Sequence, residues 1–180
     1  MINKTILSAL LFSTLVLGVK TAATAKPAGF DSSDVKTRGV FSMDKAKRGG
    51  TVRAAVVIDI PDGYHVNSNQ PLSKFAIGTQ LRVTGPRGVR TGPVSYPRGS
   101  VKSFSFSKEK LSVFEGRAVL RFTVTVLPNY NGDAIDLETN LRFQSCTNEV
   151  CFPPDSRNIR LQIPVVDTSS PTKSINRDIF

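Results

Sequence analysis

Apolar and polar residues alternate at period two along Ala118-Val-Leu-Arg-Phe-Thr-Val-Thr-Val-Leu127, along Ile135-Asp-Leu-Glu-Thr-Asn-Leu-Arg-Phe143 and along Ile159-Arg-Leu-Gln-Ile163. Successive side chains of a strand point to opposite faces, so this pattern describes half-buried strands. Thr51-Val-Arg-Ala-Ala-Val-Val-Ile-Asp-Ile60 is a fourth strand, closed by the turn signal Pro61-Asp62-Gly63. Shorter strands are expected at Val40–Met43, Leu81–Thr84, Val89–Tyr96 and Val113–Phe114. After residue 25, no stretch keeps helical spacing for three turns. Seven or eight short strands divided by Gly, Pro and Asn turns predict an all-β chain, an antiparallel β-sandwich of immunoglobulin-like type.

The chain begins with a charged residue, Lys4, an apolar stretch from Ile6 to Val19, and Ala23-Thr24-Ala25, a small-x-small cleavage signal before Lys26. Residues 1–25 therefore read as a secretory signal peptide, and the mature chain as a periplasmic protein without a membrane span of its own. Residues 26–37 and 167–180, rich in Ser, Thr, Lys and Asp, are expected to be flexible ends around one domain at 38–166. Loss of Lys4 and Lys20 with the signal lowers the formal charge from +10 to +8. Basic residues run from Arg82 through Arg87, Arg90, Arg98, Lys102, Lys108, Lys110 and Arg117 to Arg121, opposed by Glu109 and Glu115. In a cytosolic chain that balance would suggest nucleic acid. Export, and the lack of a stacking motif, exclude it as a partner and leave a solvated basic face or attraction of an acidic surface.

An exported chain meets an oxidising compartment, where cysteines pair. Both cysteines, Cys146 and Cys151, lie in Phe143-Gln-Ser-Cys-Thr-Asn-Glu-Val-Cys-Phe-Pro-Pro154 with four residues between them. A disulfide here closes a loop of six residues, which on the chain-entropy model is worth roughly 2 kcal/mol, against about 4.7 for a hundred-residue loop. By spacing alone, an inert local bridge and a dithiol that opens and closes stand level. Parity puts Ile135, Leu137, Leu141 and Phe143 toward the core and Cys146 on the outward face, provided the strand continues without a bulge. Two Cys and the single His65 fall short of a structural zinc site, so neither metal nor cofactor is expected. There is also no C-x-x-C motif of the thioredoxin type.

Ile58-Asp-Ile-Pro-Asp-Gly-Tyr-His-Val-Asn67, Val113-Phe-Glu-Gly116 and Leu141-Arg-Phe-Gln-Ser-Cys-Thr-Asn-Glu-Val-Cys-Phe-Pro-Pro154 resemble the N-terminal periplasmic domain of DsbD, the bacterial thiol:disulfide interchange protein. The resemblance covers about 38–166 and implies an immunoglobulin-like fold. It implies that Cys146 and Cys151 are a redox pair of the protein-disulfide reductase type, passing electrons to periplasmic thioredoxin-fold proteins such as disulfide isomerases and cytochrome c maturation factors. The family's membrane-embedded and thioredoxin-like domains are missing from this sequence, so a separate membrane donor of DsbD or CcdA type is expected. A cap loop that shields the pair in the family corresponds to Gly99–Phe106, with Phe104 or Phe106 as the shield and Lys102 where negative charge is expected. A nearby ammonium would lower a thiol pKa. Tyr64, His65 and Phe152 are expected around the dithiol groove, although Tyr64 and His65 suit a core aromatic and a solvated turn residue equally well. Glu149 reads as a solvated loop residue. The competing reading of the whole chain is an exported, non-enzymatic adaptor with a structural disulfide.

Overall fold

The computed structural model describes residues 32–180. The expected signal peptide at 1–25 and residues 26–31 lie outside the described residues. A 3-10 turn at Ser32–Asp34 leads into twelve strands: β1 (Lys36–Phe41), β2 (Ala46–Lys47), β3 (Thr51–Asp59), β4 (His65–Asn67), β5 (Gln80–Thr84), β6 (Val89–Thr91), β7 (Ser100–Lys102), β8 (Leu111–Phe114), β9 (Arg117–Val126), β10 (Ala134–Phe143), β11 (Ser145–Cys146) and β12 (Asp155–Val166). They form three four-stranded sheets, ordered β1-β3-β9-β6, β2-β12-β10-β5 and β11-β4-β8-β7. All pairings are antiparallel except the short β2–β12 contact. The architecture is all-β, an immunoglobulin-like β-sandwich.

The two larger sheets close over one core because their strands alternate. In β10, Ile135, Leu137, Leu141 and Phe143 are buried while Asp136, Glu138, Asn140 and Arg142 face water. β9 presents Ala118, Leu120, Phe122, Val124 and Val126 inward from the other sheet, and these pack in one cluster with Val52, Val56, Ile58, Leu161 and Ile163. Burying each Leu, Ile, Val or Phe contributes about 1.5–3 kcal/mol, the main force holding the layers together. Where β6 was expected to reach Tyr96, ladder pairing ends at Thr91. Pro93 offers no N–H, and only an isolated bridge from Ser95 to Arg121 follows.

Both ends of the domain are ordered more fully than the composition suggests. Val35 is wholly buried in the core and β1 starts at Lys36, inside the segment expected to be flexible. At the other end the expected flexible tail is packed down on the outer face of β3. Ala55 and Val57 are buried there with Ile179, and Val40, Val119 and Phe180 pack around them. Arg121 Nε and Nη2 donate to the Ile179 carbonyl at 3.0 and 2.7 Å, Arg53 Nη1 to the Phe180 carbonyl at 3.0 Å, and Asn176 Nδ2 to the Phe41 carbonyl at 2.8 Å. The reason lies in the run Ala54-Ala-Val-Val-Ile58, which is apolar on both faces. A sheet with two apolar faces needs a cover on each.

Candidate redox site

The small sheet β11-β4-β8-β7 carries the cysteines, and its position follows from one break in the chain. β10 pairs with β12 as far as Phe143 opposite Asp155, and there the ladder ends. At Gln144 the backbone leaves that sheet, and Ser145 and Cys146 pair instead with Val66 and His65 of β4. The parity counted from β10 no longer applies beyond this break. Cys146, expected to face outward, is 0% exposed, and its neighbour Ser145 is equally buried.

The Gln144 side chain holds the junction. Its Oε1 accepts from Asn67 Nδ2 at 3.0 Å and from the Ile77 amide at 3.1 Å, and its Nε2 donates to the Phe152 carbonyl at 3.1 Å. The Phe152 amide donates in turn to the Ser145 carbonyl at 2.9 Å. Between the cysteines, Thr147 N donates to the Val150 carbonyl at 2.8 Å, while Thr147 Oγ1 accepts from Glu149 N and Val150 N. This tight turn sets Cys146 and Cys151 opposite each other as bridge partners, with Cα atoms 4.0 Å apart and a disulfide between them. The sequence places Gln144 and Asn67 in recognisable blocks without showing that one ties the other.

The two sulfurs are not equivalent. Cys146 is enclosed, whereas Cys151 is half-buried and lines a cavity of about 360 Å³ with Asn67, Phe75, Phe106, Leu111 and Gln144. Phe75, at the rim, is 79% exposed, and Val150 beside Cys151 is exposed as well. Glu149 lies exposed in the turn.

Gly63, at a φ of 81° that only glycine adopts freely, turns the chain after Pro61 and delivers Tyr64 and His65 to the site. Tyr64 is buried, its hydroxyl donating to Asp34 Oδ2 at 2.7 Å and its ring stacked 6.0 Å from that of Phe152. His65 is 1% exposed. Its imidazole stacks on Phe104 with centroids 4.0 Å apart, and Phe106 continues the stack at 5.4 Å from Phe104. Burial pushes the His65 pKa down to about 4, opposed by the carboxylate of Glu115 and helped by the ammonium of Lys102. The ring is therefore neutral at pH 7. Lys102 itself is paired with Glu115 at 2.6 Å, so its charge is partly neutralised rather than aimed at the thiols as expected. Among the described residues, no group of three or more His, Cys, Asp or Glu is placed to hold a metal ion. Nor is any helix among them long and apolar enough to cross a membrane.

The family model described as thiol:disulfide interchange protein DsbD, N-terminal, matches residues 35–163. Among solved structures, the chain is similar to the N-terminal periplasmic domain of ScsB from Proteus mirabilis, at 13% identity and a TM-score of 0.48 over 71% of this chain. The match spans 45% of that chain. It is also similar to the Neisseria meningitidis DsbD N-terminal domain in the reduced form, at 17% identity and a TM-score of 0.41, covering 77% of this chain and 88% of that one. A third similar structure is the complex between the DsbD N-terminal and PilB N-terminal domains from Neisseria meningitidis, at 20% identity and a TM-score of 0.39, covering 68% and 80%. The search of curated proteins gives no match. With the family model running from the buried Val35 to Ile163 in the last strand, and so across all three sheets and the cysteine pair, the chain belongs to the family of the N-terminal domain of the thiol:disulfide interchange protein DsbD.

Proposed function

We propose that this protein is a periplasmic thiol:disulfide exchange domain that relays electrons through Cys146 and Cys151, from a separate membrane or thioredoxin-like donor to thioredoxin-fold acceptors. One observation carries this reading: a local disulfide, in a member of this family, has one enclosed and one approachable sulfur. A structural staple has no use for that asymmetry, and the bridge closes too short a loop to stabilise much.

The steps follow from it. A donor thiolate attacks Cys151 Sγ, the Cys146–Cys151 bond breaks, and its electron pair stays on Cys146. The donor's second thiolate then attacks the mixed disulfide and releases Cys151. The donor is thereby oxidised to a disulfide and this domain reduced to a dithiol. The same steps in reverse reduce an acceptor. Phe104 and Phe106 form the cap beside the pair, and Tyr64 with Phe152 forms its other wall. The neisserial complex of a DsbD N-terminal domain with a PilB N-terminal domain supports a protein partner for such a site. A cleaved signal peptide and a periplasmic location belong to the same reading, as does a donor of CcdA type.

Trapping tests it. Cys146→Ser, which keeps the approachable sulfur, should accumulate a mixed disulfide with a thioredoxin-fold protein lacking its own resolving cysteine, visible on a non-reducing gel. If neither single Cys→Ser variant traps a partner, and the wild-type disulfide resists a reduced thioredoxin-fold donor, the exchange reading fails.

A further inference from the structure

Opening the disulfide leaves Cys146 with a problem that the oxidised form does not have. Its sulfur carries an electron pair in a place without solvent, since the residue is 0% exposed. A buried thiolate is strongly disfavoured unless a donor meets it.

Three buried side-chain polar atoms among the described residues have no hydrogen-bond partner: His65 Nε2, Asn67 Oδ1 and Ser145 Oγ. All three belong to β4 and β11, the strand pair that carries Cys146. Such orphans are uncommon in folded proteins and call for an explanation. Register supplies part of one. Cys146 stands directly opposite His65, and Cys151 directly opposite Cys146, so the three lie in one row across the strands. Directly opposed residues share a face, with Cβ atoms about 4.5–5.5 Å apart. The outer side of the imidazole is covered by the Phe104 ring. Of the charged groups that act on His65, Lys102 of β7 and Glu115 of the β8–β9 turn pair with each other.

We infer that His65 is the hydrogen-bond partner of the Cys146 sulfur in the open state, and that its imidazole makes Cys146 the leaving and resolving thiol. This rests on the proposed exchange function and adds to it a residue that selects which sulfur leaves. A neutral imidazole presents one N–H and one lone pair. The N–H donates to the Cys146 thiolate as the S–S bond breaks. In the opposite direction the same N–H holds Cys146 as the thiolate while its sulfur attacks the mixed disulfide at Cys151. The stack on Phe104 fixes the ring plane for both, so His65 acts as a positioning residue and as the partner of the sulfur.

The test uses the protein in two ways. His65 is the single histidine of the chain, so its ring nitrogen NMR signals are unambiguous. They should shift between the oxidised and the chemically reduced wild-type protein. In the Cys151→Ser background, thiolate absorbance reports Cys146 alone. Adding His65→Phe, which keeps a flat ring against Phe104, should lower the thiolate fraction about tenfold, the weight of one hydrogen bond to a charged group. His65→Gln, which retains an N–H, should restore part of it. Ring signals indifferent to redox state, together with a Cys146 titration unchanged in His65→Phe, would overturn the inference. Neither measurement needs a protein partner. Wild-type exchange that fails while Cys146 still depends on His65 counts against the exchange function alone. Exchange that proceeds while Cys146 ignores His65 counts against this inference alone.

Discussion

Asn67 Nδ2 donates to Gln144 Oε1 at 3.0 Å, and this bond joins β4 to the point where β10 stops. Gln144 also holds the Ile77 amide and the Phe152 carbonyl, so one side chain fixes three segments around the disulfide. Replacing it by Ala leaves the Asn67 amide, the Ile77 N–H and the Phe152 carbonyl without this partner. Gln144→Ala is expected to cost about 1–3 kcal/mol, with the loss read as a lower urea midpoint at unchanged slope. Hydrogen exchange at Ser145–Phe152 should rise with it. A midpoint equal to wild type would show that the junction is held elsewhere.

Exposure ranks the thiols. In the reduced protein the half-buried Cys151 is expected to alkylate with iodoacetamide at least about tenfold faster than the enclosed Cys146, because thiol reactivity follows access and thiolate character together. Peptide mapping after a short pulse measures the ratio. Equal labelling would mean that reduction opens the sheet around Cys146.

The same site shows how far the sequence was legible. The long strands β9, β10 and β12 are visible because each carries enough residues for period two to emerge, and β3 because its β-branched apolar run ends at a Pro-Asp-Gly turn signal. The sheet that holds the chemistry is the one that escapes. β4 and β7 have three residues each and β11 has two, too few for any period, and they are defined by partners distant in the chain. The cysteine block itself is conspicuous in the sequence. The direction of Cys146 is not, because a single-residue break at Gln144 resets the parity that Ile135 through Phe143 establish. The docking of Ile179 was misread for a different reason. A polar segment looks solvated by composition, although the two-faced apolar run in β3 called for a cover.

That cover makes a prediction of its own. Ile179 is 2% exposed and meets Ala55 and Val57 on the face of β3 turned away from the main core. Ile179→Ala should destabilise the domain by about 2–4 kcal/mol through lost burial and the cavity left behind. Calorimetry provides the measurement. A truly flexible tail would leave the melting temperature unchanged.

Acid stability should carry the signature of His65. Burial holds its pKa at about 4 in the folded protein, against 6.5 for the ordinary imidazole. The unfolded chain therefore binds a proton at pH values where the folded domain does not, and binding to the unfolded state destabilises the fold. This contribution is fully favourable to folding above pH 6.5. It is lost progressively as the pH falls from about 6.5 to about 4 and levels off below, where both states are protonated. A difference of this size, 6.5 against about 4, corresponds to about 3 kcal/mol. Other groups titrate in the acid range too, so the informative quantity is the difference between wild type and His65→Phe. Stability measured by denaturant from pH 8 to pH 4 should fall more steeply for the wild type below 6.5, and the two curves should run parallel above 7. Parallel curves throughout would mean that His65 reaches water in the folded protein and that its stacking on Phe104 does not keep it dry.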